Sequence, residues 1–365
     1  MTEFQPRQLL RKHIQEMAPY QPIHPFEVLS EQLGIPPERL IKLDANENPY
    51  GPLPEVLESL QELRQLHIYP DPESRYLRRA LADYHGIPED RILAGAGADE
   101  LIDLILRAVL DQGDQILNCP PTFSMYAFDA SVQAARTLNV PRRKDFSLKL
   151  EDLENEVRKE GPKILFLASP NNPDGGLLPR ADLVRLLELP LLIVVDEAYI
   201  DFASPGSSAL DLTGDYPNLI VLRTFSKWGG LAGLRLGYGV FPDWITPALW
   251  KIKQPYNVNA AAAAAGRVTL KHAEALEERT AAILRERERL FKQLSRLAWL
   301  SPYPSRANFI LARVDGRDAR TLKDQLAGRG ILIRYFDKPG LRDHIRISVG
   351  TPDQTDKLII EIQNV

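Results

Sequence analysis

Cysteine is almost absent from this 365-residue chain, in which Cys119 stands alone. That excludes an internal disulfide and fits a reducing compartment. Six scattered histidines and the single cysteine give no metal-ligand spacing. No apolar run approaches the roughly 20 residues needed to cross a bilayer. The N-terminal stretch MTEFQPRQLLRKHIQEM lacks the apolar centre of a signal peptide. A basic field is missing too: 45 Lys and Arg face 49 Asp and Glu, for a net charge of −4. Neither nucleic acid nor a membrane is therefore an expected partner, and the expected compartment is the cytoplasm.

What is present is ordinary for a globular protein, with 44% hydrophobic and 26% charged residues. The 29 prolines crowd toward the start, so residues 1–44 read as a short helix and an extended arm. From about residue 73 helix and strand alternate. The helical stretches SRYLRRALADYHG and ADELIDLILRAVL flank the strand-like RILAGAG. Apolar runs follow at DQILNCP, KILFLASP, LLIVVDEAY, NLIVLRTFS and GYGVF. Short buried strands separated by helices predict an α/β fold with a mostly parallel, helix-covered sheet over 45–256. After Pro255 one long helix is expected from about Ala260 to Leu300. NFILARVD, a helix, ILIRYF, HIRISVG and a C-terminal helix then predict a smaller α+β domain over 257–365.

Four segments could carry chemistry. In RTFSKWGGLAGLRLGYG an apolar strand runs into Ser226 and Lys227, then into glycines, then Arg235. Glycines allow close backbone approach to a ligand, and a fixed arginine suits bidentate phosphate binding. A lysine must lose its proton to attack an aldehyde, which burial among cations favours. In VVDEAYIDF a buried strand ends at Asp196, with Tyr199 three residues on; a carboxylate there suits a protonated pyridine nitrogen. In PNNPDG, Asn172 follows a strand and faces the crevice where such sheets bind ligands. In AGAGADEL a glycine turn opens a helix, and the free N–H groups of Gly97, Ala98 and Asp99 suit an anion. Each segment alone is also an ordinary turn or a solvated strand end.

In this order the motifs resemble the fold type I pyridoxal-phosphate enzymes, the aspartate aminotransferase superfamily. The finer similarity, over nearly the whole chain, is to the histidinol-phosphate aminotransferase family. It is carried also by KLDANENPYGPLP, YPDP, PPTFSMY, PYNVN, ANFIL and RISVG. The resemblance implies a large pyridoxal-phosphate domain with a seven-stranded sheet, and an arm packed on the small domain and substrate site. It implies that Lys227 holds the cofactor as a Schiff base and shuttles the substrate's proton. Asp196 would pair with the pyridine nitrogen, Asn172 and Tyr199 with the ring oxygen, and Phe123 would stack on the ring. Ser226, Arg235 and the Gly97–Asp99 turn would hold the phosphate. Tyr69 would reach the neighbouring subunit's phosphate in a homodimer with shared sites. Arg346 would pair with the substrate carboxylate, Arg334 and Tyr20 with the substrate's own phosphate, and Asn46 would line the pocket.

The implied reaction is amino transfer between histidinol phosphate and 2-oxoglutarate, returning imidazole acetol phosphate and glutamate. An aromatic aminotransferase and a decarboxylase of a phosphorylated amino acid share the scaffold and stay open; a non-enzymatic binding protein is disfavoured by the retained Lys227 and Asp196. Three positions depart from the family pattern. Asp174 replaces a threonine at a turn, with no expected bearing on the chemistry. Trp228-Gly229 follows the lysine, where it is expected to reshape the pocket's edge. Phe123 replaces a tyrosine. Elsewhere RERER at 285–289 reads as a solvated helix face, Cys119 as a core residue, and the histidines as structural or surface residues, of which His24, close to Tyr20, and His67, close to Tyr69, are the ones to place relative to the site.

Overall fold

The computed structural model describes residues 5–19 and 25–365, so Tyr20 and His24 lie outside the described residues. The strands are β1 (Ile41–Leu43), β2 (Ile92–Gly95), β3 (Gln115–Asn118), β4 (Arg136–Asn139), β5 (Ile164–Ala168), β6 (Leu192–Asp196), β7 (Leu219–Thr224), β8 (Gly237–Val240), β9 (Leu300–Pro302), β10 (Phe309–Val314), β11 (Ile331–Tyr335) and β12 (His344–Ser348).

Seven strands form one sheet in the order β2-β8-β7-β6-β5-β3-β4. Only β8 runs against its neighbours. Every residue of β5 and β6 is buried, because helices cover both faces and each face needs apolar side chains. The pleat divides them between two cores. Leu165, Leu167, Ile193 and Val195 enter one; Ile164, Phe166, Leu192 and Val194 enter the other. The parallel register sets Ala168 opposite Asp196, so the chemistry-bearing loops leave β5, β6 and β7 along one edge.

The smaller sheet has the order β1-β11-β12-β10-β9, antiparallel except for the β1–β11 pair. The first 44 residues are therefore more structured than an extended arm. They hold helices at Lys12–Glu16 and Phe26–Leu33, and their strand β1 joins this sheet. Strand β4 escapes the sequence reading because it lies at the sheet edge and its RTLN residues are only partly covered. The long helix expected after residue 260 is two helices, Ala260–Lys271 and Ala273–Leu294, separated at His272 (φ −112°, ψ 32°). The first packs on the helices Pro54–Gln61 and Arg75–His85; the second packs on the C-terminal helix Pro352–Gln363 and the smaller sheet. The break redirects the chain from one unit to the other.

RERER is not the solvated face expected of it. Glu286 and Arg287 are buried, because this helix runs between the two units. Cys119 is buried as expected, and burial pushes its thiol up to about 11. Among the described residues, no helix is long and apolar enough to cross a membrane. None of them form a cluster of three metal-ligating groups.

Candidate active site

One cavity of about 160 Å³ opens where β5, β6 and β7 end, and its wall includes Ala98, Asp99, Phe123, Asn172, Asp196, Tyr199, Ser226, Lys227 and Arg235. Lys227 follows β7, and its Nζ donates to the Ala45 carbonyl at 3.0 Å. Burial, then the nearby Arg346 guanidinium, pull its ammonium down to about 8. A substantial neutral fraction near neutrality is what an amine nucleophile needs.

Asp196, at the end of β6, is 6% exposed. Its carboxylate accepts from the Tyr126 hydroxyl at 2.7 Å and from the Ala198 N–H at 3.0 Å. Burial pushes it up to about 6, against the lowering effect of the Tyr126 hydrogen bond. A carboxylate so desolvated is stabilised by a cation placed against it. Tyr126 is a functional candidate missed in the sequence. The available signal is that a tyrosine buried in a helix after PPTFS must find a partner for its hydroxyl.

The anion end is built from the helix Ala98–Val109 and the turn before it. Gly97 has φ 85°, and a Cβ there would lie 2.7 Å from the Arg235 Nη2. The absent side chain lets the guanidinium lie against the turn. Arg235, itself left-handed at φ 53°, donates to the Asp99 carboxylate at 2.6 Å. Ser226 accepts from the Thr224 hydroxyl at 2.9 Å. Thr224 also lines the cavity and was not singled out in the sequence.

Arg346 and Asn46 reach the site through bonded neighbours. Arg346 donates from Nη1 to Asn172 Oδ1 at 2.5 Å and from Nη2 to the Asp44 carbonyl at 2.7 Å. Asn46 donates from Nδ2 to the Tyr199 hydroxyl at 3.0 Å, and its backbone N–H donates to Ser348 Oγ at 2.8 Å. Arg334 lies directly across the β11–β12 ladder from Arg346. Both guanidiniums stand over Phe336, at 5.5 and 5.4 Å from the ring centre. Like charges facing each other in a sheet are destabilising unless an anion joins them.

Tyr69 stands apart from this wall. It is 78% exposed and stacks on Tyr256 with ring centres 4.6 Å apart. Tyr20 lies outside the described residues. His67 is exposed. Of the departures, Trp228 packs beside Phe225 and Tyr84 rather than on the cavity wall. Asp174 is not a solvated turn residue. It is buried, and accepts from Asn171 Nδ2 and from the Gly176 N–H. Asn171 in turn accepts from Thr122 and donates to the Pro121 carbonyl. The carboxylate thereby ties together the loops that carry Asn172 and Phe123.

Comparison with known proteins agrees with this geometry. The sequence profile described as aminotransferase class I and II matches residues 38–362. A chloroplastic histidinol-phosphate aminotransferase of Nicotiana plumbaginifolia is 53% identical over 96% of this chain and 85% of its own. The histidinol-phosphate aminotransferase of Roseiflexus castenholzii is 51% identical over 98% of both chains. The solved structure of histidinol-phosphate aminotransferase from Sinorhizobium meliloti, in complex with pyridoxal-5'-phosphate, superimposes with a TM-score of 0.90 at 30% identity, covering 100% of this chain and 99% of that one. With its two-sheet architecture and its lysine and carboxylate sharing one cavity, the chain belongs to the aminotransferase class I and II family.

Proposed function

We propose that the protein is a pyridoxal-phosphate-dependent transaminase that exchanges the amino group between histidinol phosphate and 2-oxoglutarate, a step of histidine biosynthesis. The observation that carries the substrate assignment is the 51–53% identity, along nearly the whole chain, to proteins of that activity. The cavity fits the cofactor chemically. It offers an amine of depressed pKa, a buried carboxylate suited to a pyridinium, and helix N–H groups with an arginine for a phosphate.

When bound, pyridoxal phosphate supplies an aldehyde for the amine and a ring that takes up the electrons released at the substrate's α-carbon. The chain's residues do the rest. Lys227 Nζ would take the proton from the substrate's α-carbon and deliver it to the cofactor's aldehyde carbon. Asp196, as a carboxylate, would face the ring nitrogen and keep it protonated, and Tyr126 holds Asp196 through its hydroxyl. Asn172 and Tyr199 would orient the ring oxygen, and Phe123 would cover the ring face. Ser226, Arg235 and the Gly97–Asp99 turn would anchor the phosphate. Arg346 binds glutamate's carboxylate; the phosphate of histidinol phosphate, which has no carboxylate, reaches the same basic pocket with Arg334 and Tyr20, and Asn46 lines that pocket. The reading includes a cytoplasmic homodimer in which Tyr69, exposed here, reaches the neighbouring phosphate. It also keeps the division into an arm (1–44), a large domain (45–256) and a small domain (257–365).

A coupled assay with 2-oxoglutarate as acceptor tests the substrate. The expected kcat/KM for histidinol phosphate exceeds that for phenylalanine at least about 100-fold, or about 2.7 kcal/mol of differential transition-state binding. A hundredfold preference for phenylalanine would overturn the assignment.

A pH dependence follows from Lys227. Only the neutral amine attacks an aldehyde, and its ammonium titrates at about 8. The rate at which cofactor-free protein captures pyridoxal phosphate should therefore rise roughly tenfold per pH unit up to that value and then level. Stopped-flow absorbance measures it. A rate still climbing toward pH 10 would mean that the site does not depress the amine.

A further inference from the structure

The helix Ala273–Leu294 places two side chains one turn apart, Ile283 and Arg287, in the cleft between the two units. Ile283 packs in a cluster with Tyr199, Phe202, Ala307, Phe309 and Val349. Arg287 is 6% exposed, and its Nη1 donates to the carbonyls of Phe202 and Ala307, both at 3.0 Å. These acceptors belong to different halves of the site. Phe202 ends the short turn that follows Tyr199. Ala307 precedes Asn308 and β10. Asn308 Nδ2 donates to the Asn46 carbonyl, and its own carbonyl accepts from the Val349 N–H. Phe309 packs edge-on against Tyr199 with ring centres 5.0 Å apart, and Arg346 stands 5.2 Å over the Phe309 ring.

Burying a guanidinium against neutral carbonyls is costly, since the charge loses its hydration for two modest acceptors. Burial accordingly pulls its pKa below the ordinary arginine value. An apolar side chain of similar length would fill the same space without that cost. What it would not do is join the Tyr199 turn to the start of β10.

Building on the transamination reading above, we propose that Arg287 is a positioning residue that fixes the distance between the cofactor-facing wall at Tyr199 and the substrate-facing wall at Arg346. It touches neither substrate nor cofactor. Its effect falls on where the substrate's anionic group, the carboxylate of glutamate or the phosphate of histidinol phosphate, lies relative to the reacting carbon, to which rates are sensitive at the ångström scale.

The test uses holoenzyme loaded with pyridoxal phosphate, with maleate as a dicarboxylate that binds without reacting. Arg287→Met is expected to raise the maleate Kd about tenfold and to lower kcat/KM for glutamate and histidinol phosphate about tenfold. The near-visible cofactor band and its pH midpoint should be those of wild type. Arg287→Lys, which keeps a charged donor, should bring both values within about threefold of wild type. A merely structural arginine would lower the melting temperature and leave the maleate Kd of the folded protein unchanged, and that result overturns the proposal. If Arg287→Met does not accumulate folded, Arg287→Gln replaces it. A rise of about threefold or more in the maleate Kd supports the proposal, and a smaller one rejects it. Absence of the cofactor band from wild type would instead reject the transamination reading itself.

Discussion

Lys227→Ala protein should still bind pyridoxal phosphate but lack the near-visible band of the lysine-linked form, and should transaminate at least ~10⁴-fold more slowly. The size of the loss follows from two roles on one nitrogen. At pH 7 an amine titrating at about 8 is neutral in roughly one molecule in ten, whereas an unperturbed lysine near 10.4 is neutral in fewer than about one in a thousand. Alanine removes that nucleophile and also the proton carrier between the two carbons. The fold should survive, since among the described residues Nζ has one hydrogen bond, to the Ala45 carbonyl, and its loss leaves an exchangeable acceptor beside an open cavity. A small primary amine added to the variant should restore part of the rate, because proton transfer does not require the covalent tether. A variant that keeps both the band and the rate would show that another group carries the chemistry.

The sequence made this half of the site readable because its residues sit where buried strands stop. β5, β6 and β7 announce themselves as apolar runs, and the polar residues that interrupt them, Asp196, Ser226 and Lys227, all fall on one sheet edge. The other half was less legible. Nothing local gives Arg346 and Arg334 a role; only the family resemblance does. Burial of Arg346 depends on Phe309, Phe336 and Asp44, which lie far away in the chain. The role of Tyr126 is not legible in the sequence, because nothing local points its hydroxyl at Asp196. Glu286 and Arg287 were misread for the same reason. Charge alternation in RERER is what a solvated helix shows, and only the packing of that helix between the smaller sheet and the Ile200–Phe202 turn reverses it. The break at His272 was hidden because both flanking segments form helices readily; the change of packing partner, not propensity, sets it. Asp174 looked like a turn residue by composition, yet its neighbours desolvate it and give it two donors.

Asp196→Asn is expected to retain the near-visible cofactor band while kcat falls about 10³-fold, close to 4 kcal/mol of lost transition-state stabilisation. The amide keeps the shape of the carboxylate and removes its charge. In the native site the carboxylate is buried at the end of β6 and is held up at about 6 by desolvation. A pyridinium placed against it would lower that value, and by linkage the carboxylate would raise the ring nitrogen's affinity for its proton by the same free energy. Asparagine cannot return that energy, so the ring nitrogen loses its proton and with it most of the capacity to hold the electrons released at the α-carbon. The hydrogen bond from Tyr126 provides a graded control. Tyr126→Phe removes one donor to a charged acceptor, worth about 1.5–3 kcal/mol, but leaves the Ala198 N–H and the negative charge in place. Its rate should fall about tenfold to a hundredfold, less than that of Asp196→Asn. Stopped-flow half-reactions with glutamate at saturating cofactor separate the two variants from simple weakening of cofactor binding. Equal rates for Asp196→Asn and wild type under those conditions would remove the carboxylate from the mechanism. A tyrosine variant slower than the aspartate variant would mean that Tyr126 acts on something other than the Asp196 carboxylate.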